Sequence, residues 1–423
     1  MTSRAALDSI PRRRVLWLSH LLPWPPKGGV MQRSYYLMRE VARHHELRVV
    51  AFRQHAHQPD DASLDEARAA ISEFATLSHV SSLPEKRVPW GQTLLALRSL
   101  VPGPPYTIRW GMSAEYGRAV QLAIEDFKPD VIHFDTVSLA PYLDLAGAIP
   151  TVLDHHNIES HMLLRRAEQE SNLLKRLYFG QEGRRLAAYE RRVSGRFRTH
   201  LVCADLDAKR LLETVGDMSV RLVPNGVDLE YFQPAPPDTP QEPDSMIFVG
   251  GLSWYPNASA MSFFVRQVWP IIAAKRPSAT LRIIGRNPPS DLLEDGAGDP
   301  RIQVMGFVND IRPVVLESMV YVCPIFDGGG TKLKMLDAMA MGKAIVAHPI
   351  SCEGLDVVCG EQVLQAVEPE GFVNQILRVM DNPSLRETLQ RNARDHVERR
   401  FSFRSIGRGL SQLYVELSQT PRA

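Results

Sequence analysis

Residues 320–342 read VYVCPIFDGGGTKLKMLDAMAMG. Val320–Pro324 is a short apolar run of strand type. Asp327-Gly328-Gly329-Gly330 is a turn with three successive glycines, and Lys332–Met341 carries its apolar residues at helical spacing. Strand, glycine loop and helix in that order is the unit from which parallel sheets are wound. The glycines let backbone N–H groups approach an anion, and the helix start adds a partial positive charge. Lys332 and Lys334 add full charges, so a diphosphate fits this place chemically. Asp337, further into the helix, has the chemistry to accept hydrogen bonds from ribose hydroxyls. The stretch lacks the GxxxxGK[ST] spacing of a P-loop and the GxGxxG of a dinucleotide fingerprint. From the residues alone, a glycine-rich surface turn with a solvated Asp337 explains it equally well.

The same rhythm runs through the chain in both directions. Upstream, Val15–Ser19 reads as a buried strand, followed by a Pro-rich loop closing at Gly28-Gly29, a helix over Met31–His44 and a strand over Leu47–Phe52. Strands are predicted at Val131–Phe134, Thr151–Asp154, Thr199–Cys203 and Arg221–Val223. Five prolines between Pro234 and Pro243 read as a linker. The rhythm restarts with strands at Met246–Val249 and Leu281–Ile284, a helix over Ala258–Ala274 between them, and a strand at Ile345–Ala347. The expected class is α/β, with two Rossmann-like doubly wound parallel sheets. The expected divisions are 1–233, a linker at 234–244, and 245–401, with about 402–423 packing back on the first domain.

Bulk composition narrows the functions. A chain of 423 residues has room for two or three domains at roughly 100–200 residues each. Forty-nine Lys and Arg against 48 Asp and Glu give a net charge of +1, which does not point to nucleic acid. Cys203, Cys323, Cys352 and Cys359 form no CxxC pair, so reduced thiols in a cytoplasmic setting are expected. No run of about 18 apolar residues predicts a transmembrane helix. Residues 161–200 depart from neutrality, with ten Arg and Lys against four Glu and with Leu, Tyr and Phe interleaved. That pattern fits a solvated basic helix or a contact with an anionic membrane surface at its cytoplasmic face.

Gly330–Gly342, with its Ala338-Met339-Ala340-Met341-Gly342, resembles the donor-site helix of family 4 glycosyltransferases. The usual pattern there is two acids eight positions apart before Ala-Met-Ala-x-Gly; here Gly329 and Asp337 stand at those positions. The subgroup it looks most like comprises sugar transferases of bacterial exopolysaccharide and exosortase-associated systems, which carry a Lys matching Lys334. Pro224–Asp228, Phe248–Asn257, Gly285–Pro288 and Gly306–Arg312 also resemble family motifs. The resemblance covers residues 15 to about 415. It implies the GT-B fold, two Rossmann-like domains facing a central cleft, and retention of the donor's anomeric configuration. It also implies a donor site of Gly28, Gly29, Gly251, Arg286, Gly328, Gly329, Gly330, Thr331, Lys334 and Asp337. The family's usual Arg and Lys after Gly251 are replaced by Tyr255, Pro256 and Asn257, which shifts weight to Arg286 and Lys334.

His156 follows the strand Thr151–Asp154, at the strand end where open α/β sheets bind ligands. It is similar to the family's strand-end His and is the candidate catalytic residue, His155 being the neighbouring alternative. Asp205-Leu206-Asp207 has the form of a metal-binding Asp-x-Asp but reads as a helix cap. No metal and no other cofactor is expected, the nucleotide sugar being a co-substrate. The expected partners are that donor, a glycan or lipid-linked acceptor and an anionic membrane surface. Rival readings are a nucleotide-sugar epimerase or phosphorylase on the same fold, and a non-catalytic donor-binding assembly partner.

Overall fold

The computed structural model describes residues 10–26, 29–83, 98–99, 103–170, 172–236, 239–328 and 331–419. The chain divides into two compact units, residues 1–224 with 403–423, and residues 225–402.

The first unit holds β1 (Arg14–Ser19), β2 (Glu46–Arg53), β3 (Thr76–Ser82), β4 (Val131–Phe134), β5 (Thr151–His155), β6 (Thr199–Val202) and β7 (Val220–Leu222). They form one parallel sheet in the order β3-β2-β1-β4-β5-β6-β7. Its helices are α1 (Gly29–Ala42), α2 (Asp61–Ser72), α3 (Tyr106–Trp110), α4 (Ala114–Phe127), α5 (Glu159–Gln169), α6 (Leu173–Ser194) and α7 (Asp205–Val215). β1 shows why Val15–Leu18 is apolar without interruption. Val15 and Trp17 join the core on one face, and Leu16 and Leu18 join the core on the other, so both faces of the strand are covered.

The second unit holds β8 (Glu242–Val249), β9 (Thr280–Ile284), β10 (Ile302–Gly306), β11 (Ser318–Cys323), β12 (Ala344–Ala347) and β13 (Leu364–Gln365). Their order is β10-β9-β8-β11-β12-β13, again all parallel. Its helices are α8 (Tyr255–Phe263), α9 (Trp269–Lys275), α10 (Ser290–Ala297), α11 (Arg312–Glu317), α12 (Leu333–Ala340), α13 (Pro369–Asp381) and α14 (Pro383–Arg400). In both sheets the chain first winds one way from a central strand and then returns to its other side. The reversal lies between β1 and β4 in one unit and between β8 and β11 in the other, and a crevice opens at such a reversal beyond the strands' C-terminal ends.

α15 (Phe403–Gln419) belongs to the first unit. Phe403 stacks on Tyr36 at 4.9 Å, and the Tyr414 hydroxyl meets His133 Nδ1 at 2.8 Å. Gly407 makes the crossing with α1 possible: a Cβ there would lie 2.3 Å from that of Glu40.

Three local expectations change. The proline-rich stretch 234–243 lies inside the second unit, and β8 starts at Glu242 rather than Met246. Pro243 is tolerated because pairing with β9 begins only at Ser245, so its missing N–H costs that ladder nothing. The helix expected over Ala258–Ala274 contains a π turn at Phe264–Val268, where the Trp269 N–H bonds to Phe264 O; the following Pro270 lacks an N–H of its own. Asp205 does not cap α7: the cap is Ala204, and Asp205 and Asp207 lie in the first turn.

Candidate functional site

In the first unit, the ends of β1, β4 and β5 bring one carboxylate and two imidazoles together. Asp135 follows β4 and is fully buried. Its Oδ2 accepts from the Ser19 hydroxyl at 3.0 Å and pairs with His20 Nδ1 at 2.9 Å. Its Oδ1 accepts from the Ser34 hydroxyl of α1 at 3.1 Å and meets His156 Nε2 at 3.2 Å. Burial drives the Asp135 carboxyl upward, but the charges and hydrogen bonds of His156 and His20 outweigh burial and hold it well below the usual carboxylate range. For His156, burial opposes the charged ring, and Asp135 overrides it, so the imidazole titrates above its ordinary value. The rings of His20 and His156 lie 5.6 Å apart.

A second buried pair supports this cluster. Arg33 of α1 meets Asp154 of β5 through two hydrogen bonds, of 3.1 and 2.8 Å, and donates to the carbonyls of Val223 and Pro224. It ties α1 to β5 and to the end of β7. His155 points elsewhere: its Nε2 lies 3.0 Å from His200 Nδ1, and burial holds it well below its ordinary value. Among the described residues, two groups have ligand atoms close enough for a cation, namely His20, Asp135 and His156, and His133, Asp135 and Asp154. Ser19, His20, Ser34 and His156 already bond to Asp135, while His133 Nε2 is buried with no hydrogen-bond partner among the described residues and lies 3.9 Å from Asp154 Oδ2. Neither Asn157 nor Glu159 caps α5, whose cap is Ile158; burial, and then Glu190, push the Glu159 carboxyl up to about 8. Gly29 is the first residue of α1, and Gly28 lies outside the described residues.

In the second unit, β8 ends at Val249 and Gly250-Gly251 follow it. The Gly250 N–H bonds to Ile284 O of β9. A Cβ on Gly250 would lie 2.7 Å from Lys334 Nζ and 3.0 Å from the Phe248 ring. The bare glycine therefore lets the Lys334 ammonium sit at the C-terminal end of β8. Lys334 comes from the second position of α12, donates to Asn257 Oδ1 and lies 5.1 Å from the Phe248 ring centre. Burial pulls its pKa down to about 8, against the opposing influence of Cys323 and Asp337. Asp337, half-buried one turn further along, influences Tyr231 and Tyr321 as well. Asn257 is held in turn, its Nδ2 donating to Gly251 O at 2.7 Å.

The loop before α12 is fastened at its start. Gly328 has φ +102°, the left-handed region that glycine occupies freely, and its N–H donates to Asp327. Asp327 also accepts from the Tyr255 hydroxyl at 2.8 Å. Gly329 and Gly330 lie outside the described residues. Thr331 Oγ1 is buried and has no hydrogen-bond partner among the described residues. Arg286 is exposed just past β9, with its guanidinium 4.2 Å from the centre of the Phe307 ring.

Residues 27–231 match the model described as Glycosyltransferase Family 4, and residues 243–382 match Glycosyl transferases group 1. The chain is a family 4-like glycosyltransferase of GT-B fold. A phosphatidyl-myo-inositol mannosyltransferase of Mycolicibacterium smegmatis is 23% identical over 241 residues, 55% of this chain and 60% of that protein. The matches to two further curated relatives span 44% and 27% of their lengths. Among solved structures, sucrose-phosphate synthase of Thermosynechococcus elongatus superposes with a TM-score of 0.68 at 17% identity, covering 96% of this chain and 99% of the other. The Anabaena protein HepE, in complex with UDP and glucose, gives 0.66 at 15% identity, covering 96% and 100%.

In this glycosyltransferase the structure brings Gly251, Arg286, Gly328, Thr331, Lys334 and Asp337 to one unit and His156 and Gly29 to the other. The sequence reading missed Asp135, His20 and Ser34. The signal for Asp135 was its position directly after the strand Val131–Phe134, three of whose four residues are apolar. It also missed Asn257 as the partner of Lys334.

Proposed function

We propose that the chain transfers a sugar from a nucleotide-sugar donor to a glycan or lipid-linked acceptor, retaining the anomeric configuration, in polysaccharide or glycoconjugate synthesis. The carrying observation is the Lys334 ammonium at the end of β8, hydrogen-bonded to a neutral amide and placed in the first turn of α12. In the transfer, the bond from the sugar's anomeric carbon to the distal phosphate oxygen breaks, a bond to the acceptor hydroxyl oxygen forms, and the acceptor's proton passes to the departing diphosphate. Negative charge gathers on the departing diphosphate, and a fixed cation at a helix N-terminus stabilises charge developing there. Thr331, Gly328 and Gly251 offer hydroxyl and backbone donors in the same unit, Arg286 a further cation, and Asp337 an acceptor for ribose hydroxyls. The chain's catalytic residue on the first unit is His156, held by Asp135. No divalent metal takes part.

Two relatives support this reading. HepE was crystallised with UDP and glucose, and the mycobacterial relative is named for mannosyl transfer to a phosphatidylinositol. The test is a binding and turnover panel over UDP-, GDP-, ADP- and dTDP-sugars. Lys334→Ala and Asp337→Ala are expected to weaken donor binding while the fold persists. His156→Ala is expected to lower kcat and leave nucleotide affinity intact. Unchanged donor affinity in both α12 variants refutes the donor site, and normal turnover in His156→Ala refutes the role of that imidazole.

A further inference from the structure

α5 and α6 pack together as an antiparallel hairpin in the first unit, and the start of α6 is exposed among the described residues. Residues 172–177 are six consecutive exposed positions. Among them Leu173 is 61% exposed, Leu174 77% and Leu177 59%. Isolated exposed leucines are ordinary, but three within the first five residues of a helix form a continuous apolar tip. At 100° per residue the three share one face, with Lys175 and Arg176 beside them. Met162 of α5 is also exposed, at 43%.

The same face of α6 continues as a basic stripe. Gln181, Arg184, Ala188, Arg191 and Arg192 are all exposed and follow the leucines at helical spacing. α6 has two acidic residues, and both are turned inward. Glu182 accepts from Arg185 and from the Tyr106 N–H, and Glu190 accepts from Ser160. The outer face of α6 therefore carries no negative charge over a helix of about 33 Å. The acids nearest the tip, Glu168 and Glu170, are outnumbered by Arg165, Arg166, Lys175 and Arg176. An apolar tip next to a basic stripe matches the two layers of an anionic bilayer, acyl chains below and phosphate headgroups above. Lys175 and Arg176 have stems long enough to keep their charges at headgroup level while the leucines enter.

We infer that the outer face of α6 docks on an anionic lipid surface, with Leu173, Leu174 and Leu177 inserted and Arg184, Arg191 and Arg192 on the headgroups. None of these residues belongs to the donor site or to the His156 cluster, so the docking surface stands apart from the transfer reaction. Flotation of the full chain with neutral phosphatidylcholine vesicles, and with vesicles containing phosphatidylglycerol, tests it. The wild type is expected to float only with the anionic vesicles and to be released by salt. Replacing all three leucines by Ser is expected to abolish flotation. Replacing the three arginines by Gln is expected to lower partitioning roughly 100-fold, at about fivefold per charge. Both variants should keep the wild-type thermal midpoint and donor binding. Binding to both vesicle types alike, binding to neither, or undiminished binding in either variant overturns the proposal. Lipid-free dimerisation abolished by the Leu→Ser changes would assign the face to a second copy and overturn it too. Failure to bind any nucleotide sugar, with vesicle binding intact, would refute the transfer reading and leave this one standing.

Discussion

Asp135→Asn isolates the buried cluster at the ends of β1, β4 and β5. Asparagine keeps the size of the side chain but removes its charge and replaces one acceptor oxygen with a donor nitrogen. That nitrogen would face either the donors on Oδ2, Ser19 and His20, or those on Oδ1, Ser34 and His156. At least one charge-assisted hydrogen bond is lost, at about 1.5–3 kcal/mol, and one buried donor is left unsatisfied. The expected destabilisation is therefore about 2–4 kcal/mol, or roughly 5–15 °C in the midpoint of a unit of this size. The pH dependence has a definite sign. Asp135 is depressed, so its stabilisation is complete above its ordinary value of 3.8 and is lost as pH falls through its folded value. His156 is raised, so its contribution is complete below 6.5 and is lost as pH rises through its folded value. The gap between wild type and variant should be widest between these two ordinary values and should narrow on the alkaline side. Loss of His156 orientation is expected to lower kcat about 10–100-fold, the rate equivalent of one such hydrogen bond, with nucleotide affinity unchanged. The alkaline limb of kcat should also move to lower pH, because removing Asp135 lowers the His156 pKa. Thermal denaturation, a pH series of kcat and an NMR titration of His156 measure these effects. A variant with a wild-type midpoint, a wild-type kcat profile and an unshifted His156 refutes the reasoning.

Gly250→Ala places a Cβ 2.7 Å from Lys334 Nζ, so donor affinity should fall at least tenfold while thermal stability changes little; calorimetric titration with a nucleotide sugar decides it. Donor affinity of the wild type should decline above about pH 8, where the Lys334 ammonium loses its proton, and Lys334→Met should bind weakly with no such decline. Arg33→Met leaves Asp154 as an uncompensated buried charge and should destabilise the first unit by about 3–5 kcal/mol, read by chemical denaturation. Turnover should survive excess EDTA; complete loss in EDTA, restored by magnesium or manganese, would refute the metal-free reading.

Most of the sheet was legible because its central strands are buried on both faces. Val15–Leu18 reads as an uninterrupted apolar run for that reason, Val131–Phe134 is interrupted only by His133, and Thr151–Asp154 holds Val152-Leu153 between its polar ends. The strands that went unread, β3, β10 and β13, lie at sheet edges: Thr76–Ser82 and Ile302–Gly306 are half exposed, and Leu364–Gln365 spans two residues. Edge strands need only one apolar face, and their patterns fade into loop-like sequence. The π turn within the 255–275 helix was hidden because Phe264, Val265 and Val268 keep an apolar spacing compatible with an ordinary helix. In the site, Lys334 and Asp337 were legible from their place after the glycine loop, and His156 from its place after a strand. Asp135 was not, because its importance comes from partners 21 to 116 residues away that only the winding of the sheet brings together. Arg33 was hidden in the same way: in sequence it is one more basic residue of a helix, and only the fold buries it against Asp154.

The central claim is that Lys334, at the end of β8, anchors the diphosphate of a sugar donor that the chain then transfers. The most direct measurement is calorimetric binding of each nucleotide sugar of the panel to wild type and Lys334→Ala, followed by acceptor-dependent release of nucleoside diphosphate from the one that binds. The account predicts one preferred donor, a Kd raised about 10–100-fold in the variant, as expected for losing one charge-assisted contact, and release that requires acceptor. Wild-type affinity in Lys334→Ala, or donor turnover that proceeds equally without acceptor, would contradict it.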